Sequence, residues 1–241
     1  MVPMISDLLK PAITRLITPM AKGLLRMGLT PNSMTVWGGL GVLISTFTLV
    51  PTGHFFVGSL IITIFILGDL FDGTMARISH QGSSPWGSFL DSTIDRVTDS
   101  SILIALIMAL DSRGDRLIPV VLIAILTGLL IPYIRAKAES IGVQCSGGLA
   151  ERTERLIITL AAIGLHGLGI HFALAIGMWL LTVLGIFTVV QRILIVKRAL
   201  AHLLINSLDL ALPFFIYWHG ESPDGSPKNW PTLFFTFLED T

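Results

Sequence analysis

Two short runs hold the residues whose types and spacing could do chemistry: Asp69-Leu70-Phe71-Asp72-Gly73-Thr74-Met75-Ala76-Arg77 and Gly87-Ser88-Phe89-Leu90-Asp91-Ser92-Thr93-Ile94-Asp95. Four aspartates sit here in otherwise apolar stretches, where insertion scales put the cost of each at about 2.5–3.5 kcal/mol. A cost of that size needs a compensating partner, and a divalent cation is the natural one. Asp69 and Asp72 are three apart and Asp91 and Asp95 four apart. Each pair therefore projects from one helix face, and two antiparallel helices can aim both pairs at a common point. Hard oxygen donors favour magnesium or manganese over zinc. Gly73 and Gly87 remove side chains at the same level, which lets helices or a bulky ligand approach closely. The same spacing also suits acids that line a cation or proton path, or that pair with Arg77 and Arg96 for structure.

A second group is basic: Tyr133-Ile134-Arg135-Ala136-Lys137-Ala138-Glu139, Glu151-Arg152-Thr153-Glu154-Arg155, and Arg192. Several cations converging beside a metal site suit an acceptor that already carries a phosphate, because guanidinium and ammonium groups neutralise and orient a dianion. Part of the cluster also answers to the excess of basic residues on the cytoplasmic side of membrane proteins.

The elements that must position these residues follow from composition. Of 241 residues 52% are hydrophobic and 13% charged, and the mean hydropathy is +0.78. That leaves too little polar surface to coat a soluble globule, so the chain belongs in a bilayer. The lone Cys145 excludes an intramolecular disulfide framework and a cysteine-only metal site. The expected fold is an all-α integral membrane domain over residues 1–199, in which six transmembrane helices follow an N-terminal interfacial helix. Residues 4–27 carry that interfacial amphipathic helix, with Lys10, Arg15, Lys22 and Arg26 facing lipid phosphates and breaking up any signal-like apolar core. Spans are expected at about 33–50, 55–78, 87–110, 117–140, 152–168 and 171–196, with Asn32 or Ser33 capping the first. The run 156–190 would measure roughly 52 Å as one helix, against about 30 Å of hydrocarbon, so it must break, and His166-Gly167-Leu168-Gly169 is the place. With six spans, twelve basic residues from Lys10 to Arg198 face one side and only Arg113 and Arg116 the other. The crowded side is the cytoplasm. Residues 200–241 form a weaker hydrophobic tail with no assigned role.

The arrangement D-x-x-D-G-x-x-A-R followed by G-x-x-x-D-x-x-x-D resembles the signature of the CDP-alcohol phosphotransferases, and every signature residue is present. The resemblance implies that Asp69, Asp72, Asp91 and Asp95 hold magnesium, or manganese in its place, as two ions per site. Asp95 would also act as general base on the acceptor hydroxyl. Asn32, Ser33, Met34, Thr35, Gly73, Ala76, Arg77 and Ser83 would contact CDP-diacylglycerol. The chain further resembles the actinobacterial phosphatidylinositol-phosphate synthases across most of residues 10–195. Their fourth and fifth helices carry Tyr-x-Lys-Ala-Arg-Ala-Glu, a Gly-Gly pair and Glu-Arg-Pro-Glu-Arg. Here Arg135 and Lys137 stand in reverse order and Thr153 replaces the proline.

That second resemblance implies an acceptor, inositol 1-phosphate, bound by Arg135, Lys137, Arg152, Arg155 and Arg192, with phosphatidylinositol phosphate and CMP as products. It also implies a homodimer in a bacterial plasma membrane, its site facing the cytoplasm, with membrane lipids and no nucleic acid among its partners. Two rivals stand beside it. Glycerol 3-phosphate is an alternative acceptor that also brings a phosphate. A cation transporter would use the aspartates as an ion path, but leaves Gly73, Ala76 and Arg77 unexplained.

Overall fold

The computed structural model describes residues 18–68, 74, 75, 77, 78, 84–111, 114–145, 148 and 151–219, with side chains described through residue 201. Asp69, Asp72, Gly73, Ala76 and Ser83 lie outside the described residues, as do the first part of the expected interfacial helix and residues 220–241. Residues 18–26 are helical. Among the described residues six longer helices follow: α1 (Pro31–Leu49), α2 (Phe55–Leu67), α3 (Pro85–Asp111), α4 (Ile118–Ser140), α5 (Arg152–Gly167) and α6 (His171–His219).

The start of α1 differs from expectation. Its N-cap is Thr30, whose hydroxyl accepts from Ser33 N–H at 3.2 Å while Ser33 Oγ accepts from Thr30 N–H at 3.0 Å. Neither Asn32 nor Ser33 is the cap, because Pro31 takes the first helical position and holds the residue before it extended. The far end of the fold differs too. α6 runs 49 residues, roughly 73 Å, straight through the expected boundary at 196–200. Lys197 and Arg198 close the apolar stretch, but charge does not terminate a helix, and no Gly or Pro occurs between them and Pro213.

Packing arranges the six helices as a closed ring: α1 packs on α2, α2 on α5, α5 on α6, α6 on α4, α4 on α3 and α3 back on α1. Small residues bring the backbones together, as expected where lipid rather than water surrounds the helices. A Cβ on Gly39 of α1 would lie 2.6 Å from Ile94 of α3, and one on Gly177 of α6 would collide with Ala162 of α5. The interior is apolar, with Ile62, Ile102, Leu106, Val121, Ile163 and Met178 fully buried. The outside is apolar as well: Trp37, Ile44, Ile64, Leu126, Phe172 and Trp179 are all more than half exposed. A surface of that kind suits hydrocarbon. By length and composition, α4 and residues 171–201 of α6 are able to cross a bilayer, while α2 is apolar but shorter.

Candidate active site

α3 and α5 belong to opposite sides of the ring, each with its own pair of neighbours. What joins them is charge. α3 carries Asp91, Asp95 and Asp99 in steps of four, a spacing that lines them along one side of the helix. α5 begins at Arg152, with Arg155 one turn on. Arg152 Nη2 lies 2.8 Å from Asp95 Oδ1, and its Nε lies 3.4 Å from Asp99 Oδ1. Arg155 Nη2 lies 3.4 Å from Asp99 Oδ2. Arg96 adds a longer contact, 4.0 Å to Asp95 Oδ2. Asp95 and Arg155 are buried, each with 8% exposure, whereas Asp91 is half-buried.

Two arginines in the first turn of α5 oppose the positive end of the helix dipole, so they need anions close by. Asp95 and Asp99 supply them. A cavity of ≈ 30 Å³ adjoins this cluster, lined by Arg96, Asp99, Arg155 and Thr159 together with apolar residues such as Leu129 and Leu181. Arg152 thus meets Asp95 and Asp99, and Arg155 meets Asp99, while the other three expected acceptor residues make different contacts. Arg135 is exposed and pairs with Glu139 at 2.8 Å, and Lys137 is exposed. Arg192 is buried at 4% exposure, donates from Nη1 to the Ile131 carbonyl at 2.7 Å, and leaves Nε without a hydrogen-bond partner. Gly148 lies over it: a Cβ there would stand 3.7 Å from Arg192 Nε and 2.8 Å from Thr188.

The expected nucleotide segment sits at the adjoining end of the bundle. Asn32 Oδ1 occupies the space that a Cβ on Gly87 would need, at 2.9 Å, so the N-terminal turns of α1 and α3 meet there. Thr35 is buried and donates to the Pro31 carbonyl at 3.1 Å, and Ser33 is engaged in the cap. Met34 joins an apolar cluster with Ala21, Leu24, Met75 and Ile78. That cluster ties residues 18–26 to the described remainder of the first acidic run, where Arg77 is exposed. Asp91 and Asp95 are the described half of the expected ligand set. They offer carboxylate oxygens one turn apart, the donor type that a hard cation takes. Sequence reasoning missed Asp99, although it continues the step of four from Asp91 and Asp95.

Comparison with known proteins bears on what this arrangement does. The CDP-alcohol phosphatidyltransferase family matches residues 28–205. The phosphatidylinositol phosphate synthase of Streptomyces avermitilis is 39% identical over 194 residues, covering 77% of this chain and 79% of its own. That of Mycobacterium tuberculosis is 40% identical over 187 residues, covering 76% and 86%. The crystal structure of the M. tuberculosis synthase with CDP-DAG bound superposes with a TM-score of 0.72, over 76% of this chain and 94% of that one, at 40% identity. Its complex with manganese and citrate gives 0.71 over 75% and 88%, at 38% identity. With three quarters of its length matched in sequence and in fold, this chain belongs to the CDP-alcohol phosphatidyltransferase family.

Proposed function

We propose that this enzyme transfers the phosphatidyl group of CDP-diacylglycerol to a hydroxyl of inositol 1-phosphate, giving phosphatidylinositol phosphate and CMP. The observation that carries the reading is the contact of Arg152 with Asp95 at 2.8 Å. An acceptor that rests its phosphate on Arg152 and Arg155 brings a hydroxyl to the neighbouring carboxylate. Free inositol has no anion to offer these guanidinium groups. Leaving Arg192 buried without one is costly, since a buried charge needs a partner.

The acceptor oxygen attacks the lipid-side phosphorus, its proton passes to Asp95, and the bond from that phosphorus to the CMP oxygen breaks. Two divalent ions, magnesium or manganese, held by Asp69, Asp72, Asp91 and Asp95, would supply the positive charge that the diphosphate and the departing CMP require. Asn32, Ser33, Met34, Thr35, Gly73, Ala76, Arg77 and Ser83 hold the nucleotide and its phosphates. Arg152, Arg155 and Arg192 orient the acceptor phosphate inside the bundle, and Arg135 and Lys137 attract it from the surface. All six helices span the membrane, residues 4–27 lie in its interface, the site faces the cytoplasm, and the enzyme works as a homodimer. The apolar outer surface of the ring and the charge asymmetry of the sequence support that topology.

An acceptor panel tests the reading. Purified protein in liposomes with CDP-diacylglycerol and magnesium is expected to move label from inositol 1-phosphate into the lipid phase. Transfer to glycerol 3-phosphate alone would shift the acceptor assignment, and transfer to free inositol at an equal rate would remove the role given to the arginines.

A further inference from the structure

The family signature absorbs four aspartates, yet this stretch of apolar helix holds a fifth, Asp99. An acid there carries the same insertion cost as the others and lies outside the metal set, so it needs its own explanation. Its surroundings provide one. The Asp99 carboxylate receives Arg152 on one oxygen and Arg155 on the other, both at 3.4 Å, from a helix on the far side of the ring. Three groups of low exposure, 17% for the Asp99 side chain, 26% for Arg152 and 10% for Arg155, are thereby held in one network. Arg152 is shared: its Nη2 is on Asp95 and its Nε on Asp99.

We propose that Asp99 is a positioning residue for the transfer, a bridge that fixes Arg152 and Arg155 to receive the acceptor phosphate and keeps Arg152 from closing wholly on Asp95. With Asp99 in place, Arg152 divides donors between two carboxylates, so a phosphate dianion displaces it from Asp95 while its contact with Asp99 stays. The acceptor phosphate then docks on cations that are already set, and its hydroxyl finds Asp95 released. Without the Asp99 carboxylate, Arg152 keeps its contact with Asp95, and the pair that blocks the base tightens.

This rests on the reading that the acceptor is phosphorylated, so the first arm measures the unmodified enzyme with inositol 1-phosphate against inositol. No preference for the phosphate ends that reading, and with it the role of Asp99. Where the preference holds, Asp99→Asn and Asp99→Glu are compared, with gel filtration in detergent as the folding control. For Asp99→Asn the acceptor KM is expected to rise roughly 10- to 100-fold, the change that losing one charged hydrogen bond produces, with the KM for CDP-diacylglycerol unchanged. Asp99→Glu, which keeps the carboxylate, restores most of the acceptor affinity. Asp99→Asn also lowers kcat, and that loss disappears in the background of Arg152→Met, where the guanidinium that closes on the base is gone. If Asp99→Asn does not fold, Asp99→Glu alone decides, since displacing the carboxylate by one methylene still raises the acceptor KM several-fold while sparing that of the nucleotide. An unchanged acceptor KM, an equal rise in both KM values, or a kcat loss that persists without Arg152 overturns the proposal.

Discussion

The cations of this protein are buried in two different ways. Arg152 and Arg155 come with their own counter-ions, Asp95 and Asp99, supplied by a helix across the ring. Arg192 has a carbonyl on one nitrogen and nothing on another, and among the described residues no carboxylate pairs with it. The first arrangement is stable as it stands and must exchange a partner to work. The second holds a buried charge with no carboxylate in contact among the described residues, which an incoming anion would satisfy. Both suit a phosphate, but in complementary ways. On the proposed reading, the paired arginines would place the acceptor next to the base and the unpaired one would help to hold it.

The comparison breaks first on the metal. If the acids of α3 met only arginines, chelating divalent ions would leave transfer intact. Transfer is instead expected to fall below detection on treatment with EDTA and to return with magnesium or manganese, followed as CMP release. The arginines themselves separate next. Arg152→Met and Arg192→Met are each expected to raise the acceptor KM roughly 10- to 100-fold, the range of one lost charged hydrogen bond. Their effects on stability should diverge. Arg152→Met leaves Asp95 and Asp99 without their shared cation and lowers the thermal midpoint in detergent, whereas Arg192→Met removes an unpaired buried charge and leaves the midpoint level or raises it. A matching drop for both would erase the distinction. Arg135 sets the lower end of the scale. Its pair with Glu139 is half exposed, so Arg135→Ala is expected to change stability by at most about 0.5 kcal/mol, seen as an unmoved melting curve.

Some of this was legible in the residues alone. Apolar runs punctuated by Pro and Gly mark the helices, and the chain does turn between Gly167 and His171, with Gly169 at φ 93. The cap at Thr30 was legible too, had Pro31 been read as a first helical residue rather than as punctuation. The end of α6 was not, because polarity marks where the apolar stretch stops and not where hydrogen bonding stops. Ring order is a matter of long-range packing, which hydrophobic spacing does not encode. The site divides the same way. Asp99 is written in the step of four that begins at Asp91, whereas the meeting of Asp95 with Arg152, 57 positions on, depends on which helix faces α3 across the ring. The five basic residues look alike in sequence, and only burial separates Arg135 and Lys137 at the surface from Arg192 inside.

The central claim is that Asp95, released from Arg152, takes the proton of a phosphorylated acceptor during phosphatidyl transfer. The most direct measurement follows label from inositol 1-phosphate into lipid, with CMP release, for the unmodified enzyme and for Asp95→Asn in the same liposomes. Steady transfer is expected from the former and a loss of roughly 10²- to 10⁴-fold or more in the latter, the range that general-base catalysis spans, with the protein still folded. Transfer at an undiminished rate by Asp95→Asn would contradict it.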